Sequence, residues 1–172
     1  MQLGAGKRLF ADADAAKRFR LTSATPVGDG IAVLVYRPVY DYLVVRDMPA
    51  DLETLWRAWT EPEDYGAWFG ALPGTVQLDV RAGGPWSMQL GAGPHDRLSG
   101  TYLEVVPRQK LVMSTRFESG DTVMEMTFRP SAPGSSIIEI HQESDTPAVR
   151  DGGRAGSEIL LDQCAAYLSK QS

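Results

Sequence analysis

Asp51-Leu-Glu-Thr-Leu-Trp-Arg-Ala-Trp-Thr60 runs directly into Glu61-Pro-Glu-Asp-Tyr-Gly-Ala-Trp-Phe69, and this stretch decides the fold. Asp51 offers the short acceptor of an N-cap. Leu52, Leu55, Trp56 and Trp59 then fall at i, i+3, i+4 and i+7, one face of a helix. Thr60-Glu-Pro-Glu63 has capping-box spacing with proline in the first turn, so a second short helix carrying Tyr65, Trp68 and Phe69 starts at once.

The flanks of this helical pair are β. Val39-Tyr-Asp-Tyr-Leu-Val-Val45 reads as a strand leading into it. Downstream, Val76, Leu78 and Val80 alternate with polar residues up to the Gly83-Gly84 turn, and Trp86, Met88 and Leu90 alternate after it. Leu98 to Val106 and Leu111 to Phe117 follow, separated by Pro107-Arg-Gln. Met124, Met126 and Phe128 then oppose Glu125, Thr127 and Arg129, and Pro133-Gly134 turns the chain into Ile137 to Glu143. This period of two predicts antiparallel strands with one dry and one wet face. From about Arg154 to Ser169 the period changes: Leu160, Leu161, Cys164 and Leu168 form a helical stripe with Tyr167 beside it, and Gly152-Gly153 sets this helix off from the sheet. The chain is therefore expected to be α+β, a helix-grip arrangement. A curved antiparallel sheet of about six to seven strands surrounds a long C-terminal helix, with two short helices after the first strand.

The totals agree. At 172 residues, 43% hydrophobic and 23% charged, the chain can bury roughly 70% of its unfolded surface, enough for one core. Collagen, coiled-coil rods and long disordered chains are excluded by these values. The net charge of −5 argues against a dedicated nucleic-acid binder, and no apolar run approaches the roughly 20 residues of a membrane span. Met1 is followed by no signal-type apolar stretch, and the single cysteine, Cys164, has no internal partner; both fit a cytoplasmic location.

Residues 1–37 stand apart as an N-terminal extension to a helix-grip domain over 38–172. Five basic against three acidic side chains give the extension +2, leaving −7 on the rest. An Ala/Asp/Lys stretch between Leu9-Phe10 and Phe19-Leu21 suggests a short helix, Thr22 to Pro26 and Gly28-Asp-Gly30 suggest loop and turn, and Ile31 to Tyr36 suggests an extra strand that Pro38 ends or bulges. A homodimer contact or a protein partner is open to this extension.

Several of these segments resemble the activator of heat-shock-protein-90 ATPase homologue-like family, within the START/polyketide-cyclase (START/Bet v-like) superfamily. Trp56, Thr60-Glu-Pro-Glu63 and Trp68-Phe69 are similar to its opening, and Val76-Gln-Leu-Asp-Val-Arg-Ala-Gly-Gly84 to its strand and double-glycine turn. Gly100 to Pro107 with Lys110-Leu-Val112, and Met124 to Pro130 with Pro133-Gly-Ser-Ser136, resemble its later hairpins. The resemblance spans roughly 39–169 and implies the helix-grip fold. Relatives of this kind include small-molecule carriers, aromatase/cyclases, self-resistance proteins and chaperone-associated domains. The family's last helix usually opens with Gly-Trp, whereas here Gly156 is followed by Ser157.

Chemistry-bearing motifs are sparse. His95, His141 and Cys164 show no spacing of a metal site, and no cofactor motif is present. His141 reads as a wet-face residue, His95 as turn polarity, and Cys164 as a packed small hydrophobe. Arg81 beside Asp79, and the carboxyls of Glu104 and Glu125, are the polar groups that a cavity would use if they faced inward. The stronger signal is apolar. Trp56, Trp59, Trp68, Phe69, Trp86, Met88, Met113, Met124, Met126, Phe128, Leu160, Cys164 and Tyr167 fall on inward faces and are expected to line a pocket for a hydrophobic or aromatic small molecule. A polyketide cyclase or aromatase using the same cavity, and a chaperone-associated interaction domain, are the alternatives.

Overall fold

In the computed structural model, residues 18–93, 95–117 and 120–171 are described. Strand β1 (Arg18–Pro26) is followed by β2 (Ala32–Met48), helices α1 (Leu52–Thr60) and α2 (Pro62–Phe69), six further strands and helix α3 (Pro147–Leu168). The six are β3 (Gln77–Leu78), β4 (Pro85–Gln89), β5 (Arg97–Val106), β6 (Lys110–Phe117), β7 (Gly120–Pro130) and β8 (Ser136–Ser144). They form one antiparallel sheet of 8 strands in the order β1-β2-β8-β7-β6-β5-β4-β3, with α3 against its inner face. This is the expected α+β helix grip, with one strand more than the sequence pattern suggested.

That extra strand lies in the extension. Thr22 to Pro26, expected as loop, is strand: Ser23 to Pro26 pair with Val35 to Ala32 and Thr22 sits at a register shift, because backbone pairing with a β-branched neighbour outweighs turn-type composition. Pro38 does not end a strand: β2 runs through it for 17 residues. Pro38 sits two residues before the β8 ladder begins at Tyr40, where β2 has a described neighbour on one edge only. The helix suggested for the Ala/Asp/Lys stretch lies outside the described residues.

The helices obey their local signals with two corrections. Asp51 Oδ1 accepts from Thr54 N at 2.7 Å, as an N-cap should. No capping box forms at Thr60, because Thr60 is still helical and its hydroxyl donates to the Trp56 carbonyl; Glu61 caps α2 through its backbone and Pro62 starts it. Helix α3 begins at Pro147 rather than near Arg154, with Thr146 Oγ1 accepting from Val149 N. Gly152-Gly153 therefore lie inside the helix. A Cβ at Gly153 would sit 3.0 Å from Cε1 of Tyr42, so the glycine lets helix and sheet approach.

Strand β3 is only two residues long, since Asp79 to Gly84 folds back on itself through Arg81 N to Asp79 O and Gly84 N to Arg81 O. Strand β5 is bulged: Tyr102 pairs with Met113 but Glu104 with Val112, which inserts one residue. The bulge puts Leu103 and Glu104 together on the outer face.

Candidate functional site

Register across the sheet sets up the interior. Tyr102 of β5, Met113 of β6, Met124 of β7, Gln142 of β8 and Tyr42 of β2 are successive Cα partners, so their side chains form one row on the inner face. Ser157, Leu161 and Cys164 are the buried positions of α3 above this face, and Leu55, Trp59, Tyr65 and Trp68 close one end from α1 and α2. The next row, Leu111, Met126 and Ile140, is completely buried, whereas Met124, Gln142 and Leu160 keep partial exposure. The interior therefore comes nearest to solvent along the Met124–Gln142 row.

Most residues expected to line a pocket do meet. Trp56, Trp59, Trp68, Phe69 and Phe128 form one aromatic cluster with Tyr65; the Trp59 and Trp68 rings are 4.8 Å apart, and Trp56 and Phe128 meet edge-on at 5.3 Å. Met88, Met113, Met126 and Cys164 are buried in the same core, and Met124 and Leu160 pack at its margin. Trp86 is buried further along, folded over Gly100 with its Nε1 donating to the Ser114 carbonyl at 2.9 Å. Tyr167 does not face inward with its polar end: its hydroxyl donates to Asp64 Oδ1 at 2.6 Å and ties α3 to α2. Surface clefts of about 650, 480 and 370 Å³ lie elsewhere, and of the expected set only Trp86 borders one of them.

The polar groups inside the core are ones that sequence reasoning passed over. Tyr42 Oη donates to Gln142 Oε1 at 2.6 Å and lies 2.8 Å from Ser157 Oγ, so Ser157 completes a buried polar triad. The Tyr102 hydroxyl is fully buried and has no hydrogen-bond partner among the described residues. Nε1 of Trp59 is also unpartnered: it lies close enough to Cys164 to favour the thiolate slightly, but without hydrogen-bond geometry. Such orphaned groups are rare in folded proteins and call for an explanation. The only signal for Tyr102 in the sequence is its phase within Gly100 to Val106, and the bulge that follows conceals it.

Burial also sets the protonation states. Desolvation pushes the Cys164 thiol up to about 12, the Trp59 N–H offsetting it only in part. The hydroxyls of Tyr65 and Tyr102 are pushed far upward by the same cause, and Tyr102 and Cys164 lie near enough to Tyr65 to raise it further. Every titratable group in this interior is neutral at physiological pH, so Cys164 is no thiolate nucleophile. The outward groups have ordinary partners: Arg81 pairs with Asp79 at 2.8 Å, and Lys110 reaches Glu104 at 3.0 Å and Glu125 at 3.4 Å. Glu104 and Glu125 are thus not cavity acids. The bulge turns Glu104 outward, and Glu125, opposite Val112, is on the same face. His141 is 3.3 Å from Asp41 on that outer face. Among the described residues no cluster of metal-ligand type occurs, and no helix is long and apolar enough to cross a membrane.

A family model described as activator of Hsp90 ATPase homolog 1-like protein matches residues 49–169, from the end of β2 through α3. The chain belongs to this family. Solved structures share its fold. CalU16 from Micromonospora echinospora shares 19% identity at a TM-score of 0.64, over 91% of this chain and 88% of that one. CV1439 from Chromobacterium violaceum shares 26% at 0.62, over 74% and 96%. DynU16, a protein of the dynemicin biosynthetic locus, shares 19% at 0.64, over 77% of this chain and 48% of its own. The family member described here has no match among curated proteins. Its match to CalU16 is longer than residues 38–172 can supply, so part of the N-terminal hairpin has a counterpart there.

Proposed function

We propose that the chain binds a hydrophobic or aromatic small molecule between the inner face of the sheet and α3, with residues 38–172 as the binding unit and the hairpin before them as an appended arm. The observation that carries this reading is the Tyr102 hydroxyl, a strong donor held in a methionine and aromatic interior with no partner among the described residues. A bound molecule carrying one oxygen acceptor would satisfy it. Trp59 Nε1 offers a second donor in the same interior, and the aromatic cluster supplies adaptable apolar walls. DynU16 comes from the dynemicin biosynthetic locus, and the fold it shares with this chain is compatible with holding a small molecule. Access would run past Met124, Gln142 and Leu160, where the inner row is least covered.

Native mass spectrometry of freshly purified protein tests this directly. A co-purifying mass of a few hundred daltons, or saturable quenching of Trp fluorescence by an apolar hydroxy- or keto-aromatic, is expected. Absence of both, with Trp emission unchanged across a panel of such compounds, would reject it.

A further inference from the structure

The hairpin made by β1 and the first half of β2 is apolar on both faces, and the described residues cover neither. Phe19, Leu21, Val33, Leu34, Val35 and Tyr36 are each 45–52% exposed. An unbroken run such as Ala32 to Tyr36 has the composition of a strand in the middle of a sheet, and a lone two-stranded ribbon is marginal in water. Its root is anchored, since Arg18 bonds Asp41 at 2.9 Å and Glu143 at 3.0 Å, and Arg20 also reaches Glu143. Beyond the root, β8 ends opposite Tyr40, leaving residues 32–38 of β2 with a free edge among the described residues.

The charges on the hairpin indicate what occupies that edge. Asp29 in the turn and Arg37 near the root have no ion-pair partner among the described residues. Asp29 sits in the turn, whereas Arg37 lies roughly 17 Å along β2 from its first residue, Ala32, so the two do not meet within one molecule. An antiparallel pairing of β2 with itself, centred on Val33, brings Asp29 of each copy opposite Arg37 of the other. It also sets Ile31 against Val35 and Ala32 against Leu34, with no like charges opposed. The tip of each hairpin then reaches the root of the other, where a 650 Å³ cleft bordered by Val39, Val123 and Val149 can receive the exposed Val27. We infer that two copies of this chain associate through their hairpins in this way, with Val33 on the two-fold axis, turning two ribbons into a four-stranded sheet.

Sedimentation equilibrium on the full chain between 1 and 100 μM tests the pairing. These concentrations are set by the experiment and span the roughly micromolar range of transient dimers. The wild type is expected to have the mass of two chains. Asp29→Arg and Arg37→Asp should each weaken the dimer about tenfold at low salt, because both symmetric contacts become repulsive. An equimolar mixture of those two variants should associate as well as wild type, since every contact is again attractive. Val33→Cys should give a disulfide-linked dimer under mild oxidation and Ile31→Cys should not, because only the residue on the axis meets its own copy at disulfide distance. A wild-type monomer at 100 μM, a dimer indifferent to both charge reversals, or a mixture that stays dissociated would each overturn the inference. If removing residues 1–17 converts a monomer into a dimer, that segment is the occupant and the inference is likewise overturned.

Discussion

Tyr102→Phe should make the empty protein more stable. Folding strips water from the Tyr102 hydroxyl and returns no partner, a loss of about 1–3 kcal/mol for a buried hydroxyl. Phenylalanine keeps the ring packed beside Met113 and removes that loss, less a small void where the oxygen stood. The expected gain is about 1–2 kcal/mol, or about 2–8 °C in Tm for a chain of this length. Tyr42→Phe is the internal control. It removes the same atom at the opposite end of the same row, but there the oxygen holds Gln142 and Ser157, so a loss of about 1–3 kcal/mol is expected. Urea titration followed by Trp fluorescence reads both, provided the slope m is unchanged. Opposite signs support the assignment of Tyr102 as an unused donor. A loss of about 1 kcal/mol or more for Tyr102→Phe, the lower end of the cost of removing a made hydrogen bond, would show that the hydroxyl is bonded in the folded state. The ligand proposal would then lose its main support.

Three further outcomes follow from the same geometry. Cys164 should resist iodoacetamide at pH 8, because burial pushes its thiol up to about 12, and should react fully once the protein is unfolded; rapid alkylation of the native protein would contradict the packing. Gly100→Ala should cost about 3 kcal/mol or more in a urea titration, since the new Cβ would lie 1.8 Å from the Ser114 carbonyl oxygen and 2.7 Å from Nε1 of Trp86. The Asp41 carboxyl is held below its ordinary 3.8 by the bond to His141 and, against some desolvation, by Arg18. Its native value is depressed, so its contribution is complete above 3.8 and is lost as pH falls through the lowered value. Amide protection in β1 should therefore drop on acidification before that of β6 and β7, and Asp41→Asn should reduce this pH dependence, the Glu143 contacts to Arg18 and Arg20 carrying the rest.

Features set by near neighbours in the chain were legible before any coordinates. Asp51 and the Trp56/Trp59 spacing define α1, and the Met124-Met126-Phe128 phase puts those side chains inside. Features set by distant partners were not. Thr22 to Pro26 is a strand only because Val35 to Ala32 lies beside it. Alternation alone puts Glu104 in phase with Tyr102, and only the pairing with Val112 reveals the residue that breaks the phase. The sequence pattern misplaces the start of α3 to about Arg154 instead of Pro147, because the glycine pair at 152–153 reads as a break unless the Tyr42 ring against Gly153 is known. The aromatic cluster could be anticipated as a set of inward residues. The triad of Tyr42, Gln142 and Ser157, and the unpaired Tyr102, depend on register between strands far apart in sequence.

Helix α3 has two ends of different character. Its C-terminal half is riveted by Leu161, Cys164 and Leu168, each almost fully buried. Its N-terminal half contains Gly152, Gly153 and Gly156, each less favourable to a helix than alanine by about 1 kcal/mol, and the Tyr42–Ser157 contact fastens it to the sheet. Slow hydrogen exchange should accordingly be confined to the last three turns, while the turns above Tyr42 and Gln142 open far more often. On the ligand-binding proposal, the N-terminal half of α3 would act as a leaf hinged at Leu161, and the rate of entry would depend on helix unwinding as well as on the size of any gap.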